Sequence, residues 1–183
     1  MERNLTYIAL FAALIGVLGL VPAIAVAPGL SITAQSMGVM LAGTILGARR
    51  GFLATLLFVL VMSIGLPIWA SSAGPVGGLA LYATPKVGFI IGFPFASFVA
   101  GLVVERWKAP VGVAAFAGAL LGGMVVLYAF GIPGMAFGLG KTITQASVIA
   151  LSFIPGDLIK AVLAALITQA VAQARPGSLL SRA

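Results

Sequence analysis

Six long apolar segments, separated by short stretches that hold most of the charges, constrain this chain more than any other feature. A helix needs about 20 residues to cross a hydrocarbon core about 30 Å thick. Six such crossings occupy most of the 183 residues, of which 62% are hydrophobic and 7% are charged. Ordinary globular domains are about half apolar and about a quarter charged. The sequence therefore predicts one all-α integral membrane domain over residues 1–183, with no room for a soluble catalytic domain.

Breaks in the apolar pattern set the approximate limits of the predicted helices. The crossings cover about residues 5–26, 32–48, 52–69, 86–104, 110–130 and 155–174. Residues 70–85 and 131–140 are rich in glycine and contain proline, which predicts loops. Residues 141–151 are polar at intervals and predict a short helix near the outer surface. Trp69, at the end of the third crossing, suits an aromatic anchor at the membrane interface.

The positions of the basic residues predict the orientation of the bundle. With both termini cytoplasmic, seven of the ten Lys and Arg residues lie inside and three lie outside or within the membrane. The seven are Arg3, Arg49, Arg50, Arg106, Lys108, Arg175 and Arg182, and the three are Lys86, Lys141 and Lys160. This is the positive-inside bias of membrane proteins. The scatter of single charges, without a basic face, argues against nucleic-acid binding although the net charge is +7.

The first apolar segment leaves two alternatives open. Ala23-Ile24-Ala25 resembles the cleavage site of a signal peptide, but the segment exceeds the usual signal core of about 7–15 residues, so we expect a retained crossing. Ala9 and Ala13 form a small-xxx-small pair, which lets helix backbones approach closely in lipid. This pair serves either packing inside the bundle or docking onto another membrane subunit.

Asp157 and Lys160 are the most unusual pair in the chain, because Asp157 is its only aspartate. An ionisable side chain at the bilayer centre costs about 2.5–3.5 kcal/mol on insertion scales, and such groups usually face partners or a cavity. Their spacing of three puts both on one helix face. They form either a structural ion pair or a ligand site. Other polar residues are predicted at the same outer ends of the helices: Thr33, Gln35, Tyr82, Thr84 and Lys86.

The composition argues against catalysis and for binding. The chain has no histidine, no cysteine and three acidic residues, so we expect no enzyme, no metal site and no cofactor. Residues 138–142 imitate the end of a phosphate-binding loop, but the preceding spacing is wrong, so any ATPase must be another chain. Lys86 and Lys160 offer cations for a carboxylate, Asp157 accepts N–H groups, and Tyr82 supplies an aromatic wall. A small organic anion with an amide or ureido group would satisfy this set.

Four motifs together resemble one known family, BioY, the substrate-binding membrane component of energy-coupling-factor biotin transporters. The motifs are Leu-Gly-Ala-Arg-Arg-Gly at residues 46–51, Gly-Leu-Pro-Ile-Trp at 65–69, Val-Gly-Phe-Ile-Ile-Gly-Phe at 87–93 and Pro-Gly-Asp-x-x-Lys at 155–160. The resemblance spans nearly the whole chain. It implies a six-helix bundle in the bacterial plasma membrane, with biotin bound near the outer surface by Asp157 and Lys160.

The resemblance also implies partners. These are a transmembrane coupling subunit, which would contact Ala9 and Ala13, and two cytoplasmic ATPase subunits; some family members are thought to act without them, as dimers. Two alternatives remain open from the residues themselves. One keeps the architecture for another vitamin or small carboxylate, and the other is a structural membrane subunit in which Asp157 and Lys160 are only an ion pair.

Overall fold

Helices account for most of the chain in the computed structural model, which describes residues 2–27 and 30–182. The α-helices are α1 (Glu2–Leu18), α2 (Gln35–Leu46), α3 (Ala48–Ser63), α4 (Val87–Arg106), α5 (Val111–Leu120), α6 (Leu127–Leu139), α7 (Ile143–Leu151) and α8 (Ile154–Ala174). Short 3₁₀ turns cover Leu79–Ala83, Pro176–Ser178 and Leu180–Arg182. Two strands, β1 (Ile24–Ala27) and β2 (Leu30–Ile32), pair antiparallel between α1 and α2. The structure is thus mostly helical, as predicted, and it also contains one small β-hairpin that was not predicted.

Three helical segments of the described chain are long and apolar enough to cross a membrane. They are α4, α8 and a continuous rod of 29 residues from Val111 to Leu139. The rod consists of α5, a π-helical segment (Leu121–Val126) and α6. α1 and α2 are apolar but shorter. At least three helices of the described chain are thus suited to cross a membrane, as the hydropathy predicts.

α2 is the centre of the bundle. Eleven of its residues are buried, and it packs against α1, α3, α4, α5 and α8. A helix that is apolar all round is suited to such a position, because no face of it meets water. Gly47 separates α2 from α3 with a φ of +88°, a conformation that glycine adopts without steric cost. Arg49 and Arg50 consequently lie in the first turn of α3 and not between two helices.

Glycines let the rod pack closely against α4. A Cβ added at Gly88 would collide with the Phe130 carbonyl, and one at Gly134 would meet the backbone of Gly88. Gly122 likewise faces the backbone of Ala96. In lipid, helices are held together by close packing contacts of this kind and not by the hydrophobic effect. These contacts also explain why the predicted loop at 131–140 is wrong: Gly131 and Gly134 face α4, and residues 131–139 continue α6.

Other boundaries differ where tertiary packing intervenes. The first helix ends at Leu18 and not near residue 26, because the chain turns into β1. Trp69 is 6% exposed and packs on Phe58 and Phe93 in the core, so the predicted interfacial anchor is wrong. The predicted helices at 141–151 and 155–174 are confirmed as helices α7 and α8, with Pro155 in the first turn of α8.

Different elements of the chain meet at the two ends of the bundle. At the end that we call the basic end, the α2–α3 junction, the α4–α5 junction and residues 175–182 meet. Ser181 Oγ donates to the Thr44 carbonyl at 2.6 Å, and an Arg182 nitrogen donates to the Trp107 carbonyl at 2.8 Å. Tyr7 Oη lies 3.2 Å from Ser178 Oγ, which brings α1 to the same end. The hairpin, residues 64–86 and α7 belong to the opposite end, which we call the cleft end.

Candidate functional site

The first turns of α8 bring Asp157 and Lys160 together. Lys160 Nζ donates to Asp157 Oδ1 at 2.8 Å, as their spacing of three on a helix allows. The Asp157 residue is 5% exposed. A charge buried this far is stable when it is paired and hydrogen-bonded. The predicted proximity of the two side chains is therefore confirmed by the geometry.

Two further helices supply donors to the same carboxylate. Ser36, in the first turn of α2, accepts from Lys160 Nζ at 3.0 Å and donates to Asp157 Oδ1 at 3.4 Å. Tyr128 of α6 donates to Asp157 Oδ2 at 2.7 Å. Both carboxylate oxygens are thus engaged, and α2, α6 and α8 meet at one charged group.

A cleft with a cavity volume of about 60 Å³, partly open to solvent, lies above this cluster. Its walls are the hairpin end, aromatic rings and charged groups: Leu30, Ser31, Ile32, Thr33, Ser36, Trp69, Ala70, Lys86, Phe89, Phe93, Leu127, Phe153, Asp157 and Lys160. The rings of Trp69 and Phe93 lie 5.1 Å apart between centroids, and those of Phe89 and Phe153 lie 6.1 Å apart. An apolar body with polar ends fits such walls.

Lys86 brings a second positive charge to the cleft. It is 9% exposed, directly precedes α4 and lines the cleft. Within residues 2–27 and 30–182 its ammonium has no hydrogen-bond or ion-pair partner. Burial lowers the pKa of the Lys86 ammonium below its usual value. An anionic group of a ligand would compensate for this desolvation.

The remaining predicted polar residues lie outside the lining of the cleft, whereas Thr33 lies within it. Gln35 is fully buried behind the wall, where its side chain donates to the Ile68 carbonyl at 2.7 Å and accepts from the Ala70 N–H at 2.8 Å. Tyr82 Oη lies 2.8 Å from Ser63 Oγ. Thr84 Oγ1 donates to the Leu81 carbonyl at 2.6 Å. Roles of these three residues in binding stay predictions.

Ala9 and Ala13 are exposed on α1, away from the cleft lining. They line an apolar groove between α1 and α3, together with Ala12, Gly16, Val17, Leu20, Leu57, Phe58, Val61, Leu66 and Ile68. Four of the residues that α1 contributes to the groove are Ala or Gly, the small residues that permit close helix packing in lipid. Docking at this pair stays a prediction.

Ser36, Tyr128 and the aromatic walls are the site residues that the sequence did not reveal. Ser36 follows Gln35, so the polar first turn of α2 was a usable signal. Tyr128 lies 29 residues before Asp157, inside an apolar run where nothing marks it. Trp69, Phe93 and Phe153 are indistinguishable from core residues until the chain is folded.

The fold and the site define a class: a helical membrane protein with a charged, aromatic-walled cleft at one end of its bundle. Within this class the chain belongs to the BioY family, whose model matches residues 2–177.

Relatives in the family resemble the chain over nearly its whole length. "Biotin transporter BioY" of Rhodobacter capsulatus is 48% identical over an alignment of 194 residues that covers all of both chains. The protein of the same name from Rhizobium etli is 48% identical over 176 residues, which covers 92% of each chain. Among solved structures, the chain resembles the S-component for biotin from an ECF-type ABC transporter, with a TM-score of 0.86 and 30% identity. That match covers 94% of this chain and 92% of the other.

Proposed function

We propose that this protein captures biotin for uptake across the bacterial cytoplasmic membrane, as the substrate-specific component of an ECF-type transporter. The observation that carries the proposal is the cluster of Asp157, Lys160 and Ser36 in a cleft that is partly open to solvent. Its family relatives and the matching solved structure carry biotin in their names. A purely structural ion pair would not need a cleft beside it.

The chemistry of biotin matches the groups that line the cleft. Biotin has a ureido edge with N–H donors and a carbonyl acceptor, an apolar sulfur ring, and a chain that ends in a carboxylate. We propose that Asp157 accepts a ureido N–H, while a free N–H of Lys160 donates to the ureido carbonyl. The ring would lie against Trp69 and Phe93, and the carboxylate would pair with Lys86. This arrangement gives Asp157, Lys160 and Lys86 each a partner on the ligand.

Binding measurements on the purified protein test the site. Asp157→Asn and Lys160→Ala should each weaken biotin binding at least tenfold, or by about 1.4 kcal/mol. Lys141→Ala is the matched control, because Lys141 is exposed and lies outside the cleft. Unchanged affinity in both test variants would contradict the assignment of the site. Tighter binding of another vitamin in a competition panel would redirect the proposal to that ligand.

The orientation of the ligand has its own test. Lys86→Ala should weaken the binding of biotin about tenfold but leave the binding of biotin methyl ester nearly unchanged, since the ester has no charge for Lys86 to pair with. Equal losses for both compounds would show that Lys86 does not contact the carboxylate.

We further propose six crossings with both termini cytoplasmic: α1, α2, α3, α4, the rod of residues 111–139, and α8. The support is the separation of charge between the ends of the bundle. Basic residues at the basic end include Arg50, Arg106 and Arg182, whereas Lys86 lies at the cleft end. The chain has no cysteine, so single cysteines can be introduced directly. Cysteines at positions 141 and 106 should react with an impermeant reagent from outside and inside, respectively.

Partner docking completes the proposal. The exposed groove around Ala9 and Ala13 would receive a transmembrane coupling subunit, and two cytoplasmic ATPase subunits would energise uptake. Ala13→Leu should then abolish partner-dependent uptake and leave biotin binding intact. Uptake by the chain alone, with an unchanged Ala13→Leu variant, would instead favour a partner-independent homodimer.

A further inference from the structure

We infer that Tyr128 is a positioning residue, which fixes the plane of the Asp157 carboxylate through a hydrogen bond from outside the cleft. The inference rests on the proposed function, in which Asp157 receives the ligand. Tyr128 itself is not part of the cleft lining, although its neighbour Leu127 is. Its hydroxyl therefore acts through Asp157 and not on the ligand directly.

The carboxylate needs a donor on each oxygen to hold one orientation. The last side-chain torsion angle of an aspartate has a broad distribution, because the terminal sp² group has no sharp staggered minima. Lys160 and Ser36 both engage Oδ1, at 2.8 Å and 3.4 Å, and leave Oδ2 to Tyr128 at 2.7 Å. Donors from three helices thus fix both oxygens. A carboxylate has about four acceptor positions, so one remains for an N–H of the ligand.

An irregularity in its own helix directs Tyr128 toward Asp157. The π-helical segment Leu121–Val126 ends two residues before Tyr128. A π turn adds one residue to the α-helical repeat, and one residue corresponds to a rotation of about 100°. Without the π segment, the residues of α6 would face a different direction. Gly123 holds this segment against Met40 of α2, where a Cβ would collide with the methionine side chain.

The packing of the Tyr128 ring separates the role of the hydroxyl from that of the ring. The ring belongs to a cluster with Leu30, Met135 and Phe153, which also includes residues of the hairpin and α7. Tyr128→Phe keeps this ring and removes only the donor. Tyr7→Phe is the matched control, because the Tyr7 hydroxyl lies near Ser178 at the basic end.

The first measurement needs no ligand. Asp157 is the only aspartate, so cell-free synthesis with [4-¹³C]aspartate places a single carboxyl label in the protein. Tyr128→Phe should shift the carboxyl resonance of the unliganded protein, while Tyr7→Phe should leave it in place. An unchanged resonance in Tyr128→Phe would overturn the proposal whatever the ligand is.

The second measurement is biotin affinity in two backgrounds. Tyr128→Phe should weaken binding about tenfold in the natural chain and less than twofold when Asp157→Asn is already present. The same loss in both backgrounds, or no loss in the natural chain, would overturn the positioning role. If the unaltered protein does not bind biotin, the proposed function fails, and the carboxyl resonance still decides whether Tyr128 holds Asp157.

Discussion

Replacing Gln35 by leucine removes three hydrogen bonds, two of them buried, behind the wall of the cleft. The side-chain amide of Gln35 donates to the carbonyls of Ile15 and Ile68, at 3.2 Å and 2.7 Å, and accepts from the Ala70 N–H at 2.8 Å. These bonds join α1, the start of α2 and the segment that carries Trp69. Gln35→Leu keeps a side chain of similar size but satisfies none of the three partners.

The magnitude follows from the groups left without partners. A buried donor or acceptor that loses its partner costs about 1–3 kcal/mol, and both Ile15 and Ala70 are buried. The added apolar surface of leucine offsets about 1–2 kcal/mol. We therefore expect Gln35→Leu to lower the free energy of unfolding by about 2–4 kcal/mol. At about 2–4 °C per kcal/mol for a chain of this size, the Tm falls by about 5–15 °C.

Thermal unfolding of the ligand-free protein in detergent, followed by tryptophan fluorescence, measures this change. Gln173→Leu is the matched control, since Gln173 is exposed on α8, and its Tm should stay within about 2 °C of the original. A Tm of Gln35→Leu that also stays within this range, together with weaker biotin binding, would refute the structural reasoning. That outcome would instead favour the sequence-based prediction of Gln35 as a ligand contact.

Two further predictions concern helix packing. Gly88→Ala should lower the Tm by more than about 5 °C, because its Cβ collides with the Phe130 carbonyl. The control Gly177→Ala, which has open space around it, should leave the Tm unchanged. Equal changes in Tm for the two variants would contradict the close approach of α4 and α6. Thr168 Oγ1 donates to the Ala164 carbonyl and lies 2.8 Å from Thr44 Oγ1, so Thr44 is the donor between them. Thr168→Val should therefore cost about 1–3 kcal/mol, and adding Thr44→Val should recover part of it. Additive losses in denaturant unfolding would contradict a hydrogen bond between the two side chains.

Several features of this protein depend on local sequence alone. Apolar segments long enough to cross a membrane predict the helices α4 and α8 nearly to the residue, because the thickness of the bilayer sets their length. The spacing of Asp157 and Lys160 predicts their contact, because residues three apart share one face of a helix. Pro155 marks the start of α8 for the same local reason.

Other features depend on partners that are distant in the chain. The glycines at 131–140 predict a loop when only the local sequence is considered. In the folded chain Gly134 packs against Gly88 and Gly138 against Pro85, and these contacts between distant residues are not visible in the sequence. Gln35 looks like a ligand contact until Ile68 and Ala70 are brought to its side chain. The donor from Tyr128 to Asp157 requires a π segment and the packing of three helices. Periodicity and charge thus decide which segments cross the membrane and which face carries the charged pair, whereas long-range packing decides which polar groups are free to meet a ligand.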